Sequence, residues 1–138
     1  MSEIAPLAVD KVLWMKPGEG IAASGHIPVK AEFFRDHFPD FPILPGVLAL
    51  EMLKQTAHRY LDTVSGGKPQ HYFLKEIHGT RFLTYLKPGD PWESQLKLLS
   101  QKGNETHWAA ELRSQGKVAV KTELTLEVKV LAEPVLAS

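Results

Sequence analysis

The chain has 138 residues, of which 43% are hydrophobic, with 16 basic residues set against 16 acidic ones and no cysteine. This is the length of one domain, covering 1–138, with enough apolar material for a substantial core. Zero net charge excludes a global field that would hold the chain to nucleic acid or to an anionic membrane. The lack of cysteine excludes disulfides, thiolate metal ligands and a cysteine nucleophile.

At the N-terminus, MSEIAPLAVDKVLWMK alternates polar and apolar residues and lacks the unbroken apolar stretch of a signal peptide. No later apolar run approaches the roughly 20 residues that span a bilayer. The expectation is a cytoplasmic protein, with which the absence of cysteine agrees. Leu7 to Met15 and Gly20 to Val29 read as short strands joined through Lys16-Pro17-Gly18. After Phe33-Phe34 comes HFPDFPILPG, in which Pro39, Pro42 and Pro45 each remove an amide donor and bias the preceding residue away from helix. This segment reads as an extended, stiff loop.

From Gly46 onward, VLALEMLKQTAHRYLDTV is free of glycine and proline, and Val47, Leu50, Leu53, Ala57, Leu61 and Val64 recur at helical spacing. The pattern predicts one long helix, about 25 Å at ~1.5 Å per residue. Its first turns are apolar nearly all round, which implies burial on most sides. Gly66-Gly67-Lys68-Pro69 then ends it.

The remainder is strand-like: Tyr72 to Leu86, Trp92 to Ser100, Thr106 to Arg113 and Lys117 to Val130, separated by Pro88-Gly89-Asp90, Lys102-Gly103-Asn104 and Gln115-Gly116. These spacings suggest antiparallel hairpins. In the last strand Val118, Val120, Thr122, Leu124, Leu126, Val128 and Val130 share one face, and Lys117, Lys121, Glu123, Glu127 and Lys129 fall mainly on the other. An α+β fold with a long antiparallel sheet wrapped around one buried helix satisfies all of these readings.

Three residues in the proline-rich loop and the helix carry candidate chemistry. Glu51 sits inside VLALEML, where an ionised carboxylate is costly unless it is paired or able to take a proton. Pairing with Lys54 at i+3 on a water-facing stripe is the simpler alternative. His37 stands just before the helix between aromatic neighbours, either as a packed or solvent-facing ring or as an acid/base group. Gly46 precedes the helix, whose first amides lack internal partners and carry the positive end of its dipole. It is either a plain cap or the place where a carbonyl oxygen gaining negative charge is held. His26, His58, His71, His78 and His107 share no metal-ligand spacing with His37 and read as structural or surface residues, so no metal and no cofactor is expected.

The string FFRDHFPDFPILPGVLALEMLKQ closely resembles the motif FFxGHFPxxPxxPGVLxxEAxAQ of the FabZ-type 3-hydroxyacyl-[acyl-carrier-protein] dehydratases. Downstream, YFLKEIHGTRFLTYLKPGD is similar to that family's later strand segment, so the resemblance runs from about Leu7 to about Val130. It implies a hot-dog fold, a homodimer with active sites at the subunit interface, and an acyl carrier protein as substrate-bearing partner. His37 matches the family's catalytic histidine, Glu51 its catalytic carboxylate, and Gly46 the helix-start glycine whose amide binds the thioester carbonyl. Gln55 matches the motif's glutamine, and Phe38 of HFP is placed with the substrate-binding residues. Two departures bear on substrate choice: Asp36 stands where the family has glycine, and Met52-Leu53-Lys54 replaces small and apolar residues.

Dehydration needs a base at C2, an acid for the departing C3 hydroxyl, and stabilisation of an enolate-like oxygen. With the residues that the resemblance implies, the assignment is His37 as the base, Glu51 of the partner copy as the proton donor, directly or through water, and the Gly46 amide as the clamp, the reverse assignment of the first two being chemically possible. A hot-dog thioesterase and a non-catalytic acyl-binding module are the alternatives. Phe33, Phe34, Phe38 and Phe73 are expected to line an apolar tunnel, and Lys30, Arg35, Arg81 and Lys87 to form a local basic patch for the carrier.

Overall fold

The protein is described from a computed structural model, which covers residues 9–27, 46–67 and 70–130. His37, Phe38, Phe33, Phe34, Asp36, Lys30 and Arg35 lie outside the described residues. In chain order the elements are β1 (Lys11–Lys16), β2 (Gly20–His26), α1 (Gly46–Val64), β3 (Gln70–Phe82), β4 (Pro91–Lys102), β5 (Glu105–Ser114) and β6 (Lys117–Val130). The strands form one antiparallel sheet in the order β1-β2-β4-β5-β6-β3. Among the described residues no helix is long and apolar enough to cross a membrane.

Turn chemistry explains most of the connections. Between β1 and β2, Pro17 and Gly18 (φ 82°) occupy the central positions of a turn closed by the Glu19 amide on the Lys16 carbonyl at 2.9 Å. Proline presets the first φ and glycine accepts the positive second one. The Gly18 amide also donates to the Tyr60 hydroxyl at 2.7 Å, pinning this hairpin to α1. Gln115 (φ 52°) and Gly116 (φ 81°) join β5 to β6 as a two-residue loop with both central φ angles positive.

The turn at Pro88-Gly89-Asp90 does not make a hairpin, contrary to the reading from spacing. β3 pairs with β6, at the far side of the sheet from β4. Residues 83–90 therefore cross over, with Leu86 buried on the way. The turn docks on the end of β2 through the Gly89 amide on the Ile27 carbonyl and the Ile27 amide on the Asp90 carbonyl, both 2.8 Å.

The core lies between the sheet's inner face and one side of α1. Ala49, Met52, Leu53, Thr56, Ala57, Tyr60 and Leu61 are the buried helix residues. They meet Ile21, Ala23, Trp92, Leu96, Trp108, Leu112, Leu124 and Leu126, all at most 2% exposed. Each such aliphatic side chain contributes about 1.5–3 kcal/mol by leaving water. Tyr60 meets Trp108 edge to face at 4.9 Å between centroids. β4 as far as Leu98 and β5 throughout alternate more buried with more accessible positions, and in β6 Val120, Thr122, Leu124 and Leu126 are buried while Lys121 and Glu123 are exposed.

A buried hydroxyl chain locks the helix to the sheet. Thr56 Oγ1 donates to the Met52 carbonyl at 3.0 Å and lies 2.7 Å from Ser94 Oγ on β4. The start of α1 is less enclosed than its apolar sequence suggests, because Val47 is 70% exposed and Leu50 only half-buried. Among the described residues, the sheet covers one side of the helix and nothing is packed on the other.

Candidate active site

Glu51 lies on the open side of α1, on a polar stripe with Lys54, Gln55, His58 and Asp62, which follow it at one-turn intervals. It is half-buried, with 27% of its side chain accessible. The Lys54 ammonium stands 3.8 Å from Oε1, and the Gln55 amide Nε2 donates to Oε2 at 3.3 Å. Both partners come from the next turn of the same helix, so neither depends on a loop. The carboxylate is thus the paired group that helical spacing allows, yet it is not on a fully solvated surface. An exposed helix pair of this kind contributes about 0.3–0.5 kcal/mol. Its effect is to hold the Glu51 carboxylate in one place on the helix.

Gly46 is the first residue of α1, and no acidic residue follows in the first turn to offset the positive end of the dipole. The Phe82 ring packs directly on it: a Cβ at position 46 would fall 2.8 Å from Phe82 Cε1. Any larger residue there would have to push the half-exposed Phe82 ring aside. Val47, Phe82, Leu83 and Tyr85 are all at least 55% exposed. The start of the helix is therefore the apolar end of the candidate site, and Glu51 and Gln55 are its polar end. Phe82 as a neighbour of Gly46 was not singled out from the sequence; only tertiary structure brings the end of β3 to the start of α1.

His58, read as structural or surface, is half-buried. Its Nε2 is buried with no hydrogen-bond partner among the described residues, and its ring lies 4.8 Å from that of Tyr72. Burial, and then the Lys54 ammonium, holds its pKa below the usual 6.5, with Asp62 and Glu51 acting in the opposite direction. Beside it the Tyr72 hydroxyl donates to Asp62 Oδ1 at 2.7 Å. Desolvation and then that bond push the phenol up to about 12, so it remains a donor throughout the neutral range.

Phe73 does not line a tunnel. It pairs in register with Glu127 on the outer face of the sheet, 46% exposed, with the Lys129 ammonium 5.4 Å from its ring centroid. The inward positions of this stretch are Tyr72 and Leu74, opposite Val128 and Leu126. Arg81 and Lys87 are both exposed. Arg81 lies near the end of β3 and Lys87 within the crossover that follows it.

Comparison with known proteins adds family and fold. The family model described as ApeI-like, ApeI dehydratase, matches residues 15–123. A 3-hydroxyacyl-[acyl-carrier-protein] dehydratase FabZ from Oceanobacillus iheyensis is 34% identical over 123 residues, covering 89% of this chain and 88% of the relative. The FabZ of Polynucleobacter necessarius is 32% identical, with 89% and 83% covered. Among solved structures, the dehydratase heterocomplex ApeI:P from Xenorhabdus doucetiae superposes with a TM-score of 0.74 at 18% identity, covering 96% of this chain and 90% of that one. The putative thioesterase yhdA from Lactococcus lactis superposes at 0.73 and 14% identity, with 95% and 100% covered. The sheet wrapped on one helix is the hot-dog fold, as the sequence motif implied.

Proposed function

Because this chain belongs to the ApeI-like dehydratase family, we propose that it removes water from a (3R)-3-hydroxyacyl thioester held on acyl carrier protein. The product is the trans-2-enoyl thioester, made for fatty-acid or a related polyene or polyketide synthesis. The observation that carries the reading is Glu51, half-buried and held by Lys54 and Gln55 on a helix that begins at Gly46. His37 takes the proton from C2, the C2–H electron pair moves through an enolate-like thioester, and the C3–O bond breaks as Glu51 supplies the proton that turns the hydroxyl into water. The Gly46 amide, at the positive end of the helix, steadies the thioester oxygen while it carries charge.

The reading includes a homodimer in which His37 of one copy acts with Glu51 of the other. Two features support it. β3 is an edge strand of 13 residues, with a neighbouring strand on one side alone among the described residues. The side chains of Ile77 and Phe82 turn inward on that strand, opposite Leu124 and Val120, yet are 40% and 55% exposed. A second copy laid along β3 covers this gap and the open side of α1. The whole chain works as one domain, and its lack of cysteine suits a reducing cytoplasm.

The test is to incubate the protein with a 3-hydroxybutyryl thioester and follow enoyl absorbance and free thiol together. Enoyl absorbance without thiol release supports dehydration. Thiol release without enoyl absorbance makes the chain a thioesterase, and no change with tight binding makes it an acyl-binding module.

A further inference from the structure

A bulge in β3 turns one side chain toward the site. Ile77 faces Leu124 on the inner side of the sheet, and strict alternation from there would turn Phe82 outward, an odd number of steps later. The register instead takes three steps on β3, from His78 to Arg81, against two on β6, from Glu123 to Lys121. The extra residue flips the face, so Phe82 pairs with Val120 and points inward. Gly79 (φ 61°) supplies the positive angle within the bulge. Thr80 Oγ1 closes it at 2.8 Å from Thr122 Oγ1, which donates to the His78 carbonyl at 3.1 Å. Just past Phe82, the Leu83 and Thr84 amides both donate to the Ala119 carbonyl, at 2.7 and 3.3 Å, so the backbone is held on both sides of that residue.

The inward ring meets the start of α1. Its Cε1 and Cζ stand 2.8 and 2.9 Å from where a Cβ on Gly46 would be. A helical Cα–Cβ bond tilts toward the helix N-terminus, the direction in which the first, unpartnered amides point. The ring therefore stands beside whatever the Gly46 amide binds. An oxygen accepting from that amide sits about 2.9 Å from its nitrogen. The C2 of a thioester follows two bonds later, of about 1.2 and 1.5 Å. C2 thus falls in the space that Phe82 borders. With its backbone held, the ring yields only by rotating about its own side-chain bonds into water, which makes it a wall that gives under load.

We propose that Phe82 selects substrates unbranched at C2: its ring leaves room beside the thioester carbonyl for two hydrogens and crowds a methyl group there. The inference rests on the dehydration proposed above and adds to it a substrate class, 3-hydroxyacyl thioesters with a CH2 group at C2. One carbon more in a fitted apolar site is discriminated about 10–200-fold, and a wall that yields belongs at the low end of that range.

The test compares kcat/KM for a 3-hydroxybutyryl thioester and for both C2 epimers of its 2-methyl analogue. The intrinsic effect of the methyl group on C2 acidity is the same for every variant, so a change in the ratio between proteins reads the wall. Phe82→Ala should lower the preference for the plain substrate about tenfold, equivalent to about 1.4 kcal/mol, and Phe82→Leu should lower it by less. Phe73→Ala, the same change on the outer face of the same strand, should keep the wild-type ratio. An unchanged ratio in both Phe82 variants, equal loss on both substrates, or the same shift in Phe73→Ala overturns the assignment. Calorimetric binding of butyryl and 2-methylbutyryl thioesters, which lack the leaving hydroxyl, separates the wall from the reaction. A butyryl preference that Phe82→Ala removes, without enoyl product from either hydroxy substrate, supports the wall and overturns the dehydration. Enoyl product from both substrates at equal kcat/KM in the wild type overturns the wall and leaves the dehydration standing.

Discussion

Replacing Thr56 by valine removes one hydroxyl from the seam between α1 and the sheet and leaves the side-chain shape unchanged. Thr56 is fully buried; its hydroxyl hydrogen goes to the Met52 carbonyl at 3.0 Å, so the 2.7 Å contact is donated by Ser94. After the substitution the Ser94 hydroxyl, also fully buried, has only the Ala23 carbonyl, 3.5 Å away and too long to replace what was lost. Stranding a buried hydroxyl costs about 1–3 kcal/mol. With a urea dependence of about 1–3 kcal/mol per molar, the unfolding midpoint should drop by roughly 1 M. Ser94→Ala alone leaves Thr56 bonded within its helix and should cost about 0.5–1.5 kcal/mol. The double variant should be at least about 1 kcal/mol more stable than the sum of the two losses predicts, because the second change removes the stranded group. Urea unfolding at one fixed protein concentration measures all four proteins. Strict additivity, within about 0.5 kcal/mol, would refute the hydroxyl chain as the link that sets the rotation of α1 and with it the direction of Glu51.

His37→Ala and Glu51→Gln should each lower turnover at least about a hundredfold while light scattering shows an unchanged assembly. Mixing the two inactive proteins should recover activity, and no recovery after demonstrated subunit exchange means that each site is built within one chain. His58 predicts an acid limb of stability. Its pKa is held below 6.5 in the folded chain, so the unfolded chain binds more protons as pH drops below that value. The stabilisation is complete above 6.5 and is lost as pH falls through the lower, folded value. His58→Gln should flatten the decline in urea midpoint between about pH 8 and pH 5, and an undiminished decline assigns the acid sensitivity to other groups.

The helix was legible nearly end for end, since its apolar spacing and the glycines behind it are local signals: Gly66 and Gly67 take positive φ where the chain leaves α1. β6 was equally legible because its apolar and charged residues alternate in sequence, and from Val120 to Leu124 its burial alternates with them. β3 was not. Register shifts between Leu74 and Glu76 and between His78 and Arg81 break its period, so neither its partner strand nor the outward turn of Phe73 follows from residue spacing. The same Pro-Gly pair serves a hairpin at Pro17-Gly18 and a crossover at Pro88-Gly89, and only pairing distinguishes them. Glu51 and Gly46 stood out from the apolar helix and its start, Gln55 only through the motif, and all three lie on α1. His58 gave no local signal, because what buries it includes Tyr72, which arrives from another element.

The central claim, acid/base removal of water across C2 and C3 with Glu51 in the site, is tested most directly by running the reaction backward in deuterated water. A crotonyl thioester should be hydrated with one deuterium placed at C2 and the thioester intact, and Glu51→Gln should suppress both the hydration and the label. Free thiol appearing without deuterium at C2, or full labelling by the Glu51→Gln protein, would contradict the account.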